Sequence, residues 1–301
     1  MAGRGKGSFS KTERRKALNF YAYISPWLLG FIVLTLYPMI KSFYLAFTDS
    51  GIGGKANLIG LKNFIHAFTA DPQFLISFRN TILYVVLFVP ASLILAFFIG
   101  WLLSQKIKGL SFFRTVFYLP YITAGVAVTI LWGWIFNGDY GLINYILSKV
   151  GITGPDWLGD KHLALLCIVI MCLWSIGNNI IIMLAGIQDI PVSYYESAQI
   201  DGASTLRQVF TITVPLSTPT IYFNLIIGVI SAFQIFNQPY ILTSGGPVDS
   251  TRTVAMIIFQ NAFQYGRMGY ASSVAWCLFI VIMVVTLLIQ STAKKWVFYD
   301  N

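Results

Sequence analysis

Charge is what this sequence has least of. Only 10% of its 301 residues are Asp, Glu, Lys or Arg, against about 25% in a soluble globular domain, and 56% are hydrophobic. An ordinary water-soluble core and surface is therefore excluded. The stretches 115–136, 163–187, 217–243 and 271–293 hold no Asp, Glu, Lys, Arg or His at all. Carriers coupled to protons or cations usually keep ionisable groups at mid-membrane, so this absence argues against ion coupling. Cysteine is also scarce. Cys167, Cys172 and Cys277 all sit inside apolar runs, where a thiol behaves as a small hydrophobe, and neither a disulfide nor a metal site is expected.

Catalytic equipment is missing as well. His66 and His162 are isolated, the carboxylates are scattered, and no phosphate-cradling GxxxxGK[ST] loop occurs. The chain has no means of hydrolysing ATP, and no cofactor of its own is expected. An inverted-repeat secondary transporter is disfavoured because no internal repeat stands out. The net charge of +9 does not cluster as a nucleic-acid surface would require.

What is present is a set of six apolar runs, near 22–47, 74–103, 115–136, 163–187, 217–243 and 271–293. Each is long enough to cross a hydrocarbon core as helix, which takes about 20 residues. The expected fold is an all-α integral membrane protein with six transmembrane helices. The first run is too long for a signal-peptide core and lacks a small-residue cleavage site, so it is read as a retained span. Residues 1–19 form a basic tail, expected to be mostly disordered, and 20–301 form a single transmembrane domain. Lys and Arg gather in the tail, in 106–114, at Arg207 and at Lys294–Lys295. This asymmetry places both termini and the 188–214 loop between helices 4 and 5 in the cytoplasm. Pro90 is expected to kink the second span.

The loop carries the stretch YYESAQIDGAS, residues 194–204. Pro191 suits a first helical turn and Gly202 breaks the run, so two short helices joined at a glycine are expected. An amphipathic linker resting on lipid headgroups is the plain alternative. Such helices present Lys and Arg to anionic lipid, whereas this one presents Asp189, Glu196 and Asp201 against Arg207 alone. An acidic, exposed element points to a protein partner.

The spans also carry neutral polar groups beside aromatics. Trp174 and Asn178 stand four residues apart, and Gln234, Asn237 and Gln238 fall within two turns. Amides exchange hydrogen bonds with hydroxyls in either direction, and indole faces cover apolar faces of sugar rings. Trp174, Asn178, Gln234 and Asn237 are therefore the candidate substrate-binding residues. Gln238 is expected to point elsewhere because Pro239 disturbs the helix.

Glu196, Ser197, Ala198, Asp201, Gly202, Ala203 and Ser204, followed by Phe210, Ile212, Val214 and Pro215, resemble the cytoplasmic signature of membrane subunits of bacterial ATP-binding-cassette importers. That signature is Glu-Ala-Ala, then Asp-Gly-Ala-Ser, Phe, Ile and Leu-Pro. Ser197 and Val214 are mild departures, small for small and aliphatic for aliphatic. The resemblance runs from about residue 20 to 296. LYPMIKSFYLAFTD, FRTVFYLPYI, LWGWIFNGDYGLIN, LAGIQDIP and FNQPYILTSGGPVDST look like the sugar-importer branch and its first permease subunit, the maltose-permease F type.

The resemblance implies a non-catalytic permease subunit in the bacterial cytoplasmic (inner) membrane. It implies Glu196, Ser197, Ala198, Asp201, Gly202, Ala203 and Ser204 as the contact to an ATPase. It also implies partners: a second homologous permease, two ATPase subunits that bind the ATP and Mg2+, an extracytoplasmic solute-binding protein, membrane lipid and a carbohydrate substrate. A polyol or glycerol phosphodiester is the alternative cargo, and no nucleic acid is involved.

Overall fold

The computed structural model describes residues 11–51, 53–54, 56–105, 109–123 and 125–298. The first helix, α1 (Lys11–Phe31), continues through a π turn at Ile32–Leu36 into α2 (Tyr37–Ala46). The wider turn ends where Pro38, which has no N–H, removes one α-helical bond. Residues 11–19 are helical, which corrects the expectation of disorder over that part of the 1–19 tail. Residues 1–10 lie outside the described residues. A short amphipathic helix, α3 (Lys62–Thr69), follows.

The organising element is α4 (Pro72–Ser104), roughly 50 Å long at 1.5 Å per residue. Asp71 starts it by accepting from the backbone N–H groups of Gln73 and Phe74, with Pro72 at the first helical position. The helix continues without interruption through Pro90.

Two further runs read as unbroken spans are bent pairs instead, and a third bent pair joins the loop before the fifth run to that run. They are α5 (Leu110–Ile122) with α6 (Gly125–Ile135), then, after the short α7 (Leu142–Lys149), α8 (Ala164–Trp174) with α9 (Gly177–Gln188), and a third pair described below. The α8–α9 bend is 50°. Gly177 makes that bend possible: a Cβ there would lie 2.4 Å from the Phe117 carbonyl oxygen, so only glycine lets α9 pack this close to α5. Hydropathy cannot see such a contact, which is why the run 163–187 looks continuous in sequence.

After α9 come α10 (Val192–Ile200), α11 (Thr205–Gln208), a π turn at Val209–Thr213 and α12 (Val214–Leu216). The segment Thr205–Leu216 then meets α13 (Thr218–Phe233) at 63°, between Pro215 and Pro219. Neither proline can donate to a helical ladder. The chain leaves helix again at 234–236 before α14 (Asn237–Thr243), so the run 217–243 is not one helix. Finally α15 (Val254–Phe259) and a π turn lead to α16 (Met268–Ala293).

The stretch Leu18–Ala46, α4 and α16 are each long and apolar enough to cross a membrane, and the three bent pairs pass the same test when taken together. No strand forms among the described residues. The main buried cluster gathers around α4, where Phe74, Tyr84, Val85 and Val89 meet Ile168 of α8, Val229 of α13, Ile257 of α15 and Val274 of α16. The N-terminal end of α4 meets the 244–254 segment, through Asn80 and Thr81. Its C-terminal end meets residues 187–213, around Trp101 and Ser104. The two regions of interest thus lie at opposite ends of one long helix.

Candidate functional site

The 191–208 segment is two short helices joined at Gly202, as its sequence implies. The first starts one residue later than expected, with Pro191 as the flanking residue and Val192 first in the helix. It ends in a Schellman arrangement: the Ala203 N–H donates to the Ala198 carbonyl at 2.9 Å and the Gly202 N–H to the Gln199 carbonyl at 3.0 Å. Gly202 has φ +74, the left-handed conformation that side chains with a Cβ resist. Among the described residues beyond its chain neighbours, no atom lies within 4 Å of a Cβ built there, so the glycine serves the turn and not a close approach. Ser204 then begins α11 by accepting from the Arg207 N–H.

This hairpin of helices is tied down on one side only. Tyr195 shares a 3.0 Å hydrogen bond with Thr213, and the Gln208 amide donates to the Ala203 carbonyl at 3.0 Å. Glu196, Ser197, Asp201, Gly202 and Ser204 are exposed, while Ala198 and Ala203 are half-buried. Ile200 is 87% exposed and Leu206 69%. Acid and large aliphatic groups therefore stand out together. Glu196 has no ion-pair partner among the described residues, where the one ion pair is Arg252–Asp249. The partial apolar periodicity read along α10 does not make an inward face at Ile200.

The candidate substrate residues are not all brought together. Gln234 and Asn237 line a cavity of about 410 Å3 with Tyr84, Phe88 and Ser175. Gln238 lines it too, which corrects the expectation that it points away. The disturbance lies before Gln238 and not at Pro239: Gln234 follows the last residue of α13, Phe236 leaves helical geometry, and α14 restarts at Asn237 with Pro239 inside it. Asn178 lines a different space of about 300 Å3, beside Arg114 and Tyr118. Trp174 lines neither; it is half exposed and packs edge-on against Trp132 at 6.0 Å. The bend after Trp174 separates the two residues that a continuous helix would have stacked.

Among the described residues, no charged side chain lines the cavity. Tyr84 and Phe88 stack at 5.3 Å, and among the described residues the Gln234, Asn237 and Gln238 amides have no hydrogen-bond partner within the chain. Free amides can donate to and accept from hydroxyl groups, and flat aromatic surface can cover apolar faces. Sequence reasoning left out Ser175 and Tyr84 and turned the Gln238 amide away; nothing in the sequence set Ser175 apart, because the run 163–187 looks continuous there.

A bundle of this kind, with an exposed acidic hairpin at one end of α4 and a neutral cavity beside broken helices, defines a membrane permease subunit. The chain belongs to the family described as binding-protein-dependent transport system inner membrane component, whose model matches residues 77–297, and it is an ATP-binding-cassette importer permease of the sugar-transport group. The probable ABC transporter permease protein YesP of Bacillus subtilis (strain 168) is 40% identical, over 100% of this chain and 99% of that protein. The trehalose/maltose transport system permease protein MalF of Thermococcus litoralis (strain ATCC 51850 / DSM 5473 / JCM 8560 / NS-C) is 30% identical over 92% of this chain and 94% of its own length. A bacterial ABC transporter involved in the import of the acidic polysaccharide alginate has the same fold, with TM-score 0.81 and 24% identity over 93% of this chain and 96% of that one.

Proposed function

We propose that this subunit carries a neutral mono- or oligosaccharide across the cytoplasmic membrane by alternating access. The observation that carries the reading is the uncharged cavity, where a helix break turns Gln234, Asn237 and Gln238 beside the Tyr84–Phe88 stack. In this reading the chain crosses the membrane six times with both termini in the cytoplasm. A second, homologous permease closes the open side of the cavity. Two ATPase subunits receive the exposed hairpin, with Glu196 meeting a basic residue and Ile200 and Leu206 entering an apolar groove. A solute-binding protein delivers the sugar from outside. ATP binding draws the two ATPases together, the hairpin transmits that movement through Tyr195 and Thr213 to the bend at Ser217, and the cavity turns outward.

The alternative cargo is a polyol or glycerol phosphodiester. Relatives include a sulfoquinovosyl glycerol permease and a sn-glycerol-3-phosphate permease, 32% and 30% identical. A phosphate or sulfonate is held most strongly by charge-assisted hydrogen bonds from a cation, and among the described residues the cavity lining supplies neutral amide donors but no cation. The test is uptake by the reconstituted complex of radiolabelled maltose, lactose, arabinotriose and sn-glycerol-3-phosphate. Uptake of a neutral sugar that falls in Gln234→Ala and Asn237→Ala supports the carbohydrate reading. Uptake confined to the phosphate ester overturns it.

A further inference from the structure

The break at 234–236 leaves a specific backbone problem. In a continuous helix the Ile235 carbonyl accepts from the N–H four residues on, and that residue is Pro239, which has none. Ile235 is 7% exposed, so its carbonyl needs a partner from elsewhere. Thr253, itself 1% exposed, supplies it: its hydroxyl donates to the Ile235 carbonyl at 2.9 Å.

Thr253 occupies the position before α15 where a threonine ordinarily caps its own helix, yet it makes no capping bond. Thr81 of α4 satisfies that helix end instead, accepting from the Val254 N–H at 3.1 Å. Asn80, 1% exposed, donates both to the Asp249 carbonyl at 2.7 Å and to the Arg252 carbonyl at 3.1 Å. Arg252 bonds to Asp249 at 2.8 Å and to Gln260 at 2.6 Å. The 249–254 segment is thereby fastened to the long helix, and its hydroxyl is left free for Ile235.

We propose that Thr253 is a positioning residue for the cavity: fixed by Asn80 and Thr81, it holds the Ile235 carbonyl and so sets the direction of Gln234 and Asn237 on either side of the break. The inference rests on the reading of that cavity as the translocation site, but its geometry is testable without any solute. In the purified complex in nanodiscs, with Cys167, Cys172 and Cys277 replaced by alanine, a nitroxide is attached at Gln234→Cys and, separately, at Ile146→Cys on α7 as a reference. Thr253→Val keeps the side chain's shape and removes its donor. The expected result is loss of the immobilised spectral component at residue 234, no change at residue 146, and retention of the component in Thr253→Ser. Asn80→Ala, which unfastens the segment without touching Thr253, is expected to move the residue 234 spectrum the same way by a smaller amount, and it serves if Thr253→Val does not assemble. An unchanged residue 234 spectrum in whichever of these variants assembles overturns the proposal. Equal loosening at both labels also overturns it, because Thr253 would then be supporting the fold at large. Failure of the sugar reading shows separately, as normal uptake in Gln234→Ala.

Discussion

The 191–208 hairpin and the 234–236 break between α13 and α14 both interrupt helix with a few irregular residues, but they are held in different ways. The hairpin is shaped by its own sequence: Pro191 before the first helix, Gly202 in the left-handed conformation, Ser204 opening the second. The break is shaped by residues far along the chain, since the Ile235 carbonyl is satisfied by Thr253 and Thr253 is freed for it by Thr81. Local geometry suits a part that meets an outside partner as one unit. Tertiary geometry suits a part whose few polar groups must be aimed into a cavity.

The largest expected effect falls on the hairpin. Gly202→Asp puts a Cβ at φ +74, a backbone region that L-residues other than Asn and Asp rarely visit, and adds bulk and charge to the proposed docking face. Assembled complexes should lose solute-stimulated ATP hydrolysis, with Gly202→Asn retaining part of it because asparagine fits the same backbone region without adding a charge to the face. Glu196→Ala should also abolish stimulation while leaving the subunit in the membrane. Normal stimulated hydrolysis in Gly202→Asp and Glu196→Ala breaks the assignment of the hairpin as the coupling part.

Next in size are the cavity amides. Gln234→Ala, Asn237→Ala and Gln238→Ala should each lower uptake by roughly tenfold, the scale of a lost hydrogen bond to a bound solute, with basal ATP hydrolysis unchanged. Asn178→Ala and Trp174→Ala should have a smaller effect, since neither lines that cavity. If the order is reversed, the solute passes beside Arg114 and Tyr118 and the comparison is redrawn around α5 and α9.

The smallest effect concerns the loop before α3. Hydrogen bonds from the Asn57 side chain and backbone hold the exposed Asp49 carboxyl below its usual value. A depressed carboxylate contributes stability above its unfolded value and loses it as pH falls through the folded value. Hydrogen exchange at Asn57 should therefore quicken only in acid below the ordinary carboxylate range, and no longer depend on pH in this way in Asp49→Asn.

The contrast also explains what could be read from sequence. The hairpin, its acidic exposure and its glycine joint were legible because each depends on neighbours within four residues. The number and general placement of apolar runs was legible from hydropathy. The bends were not: Gly177 against Phe117 and Thr253 against Ile235 pair residues distant in sequence. Treating 163–187 as one straight helix put Trp174 beside Asn178, and placing the disturbance of the fifth run at Pro239, not at 234–236, turned Gln238 away. The helix over residues 11–19 was missed because a charged, polar N-terminal run carries no apolar signal although Lys, Glu and Arg are good helix formers.

The central claim is that the hairpin transmits energy and the cavity selects solute. Its most direct test is the number of sugar molecules moved per ATP hydrolysed, measured in the same proteoliposomes for Gln234→Ala and Gly202→Asp. The account predicts that Gln234→Ala keeps stimulated hydrolysis and loses uptake, so its ratio falls, whereas Gly202→Asp loses both together. A Gln234→Ala variant with the parent ratio and parent uptake, or a Gly202→Asp variant that hydrolyses and transports normally, contradicts it.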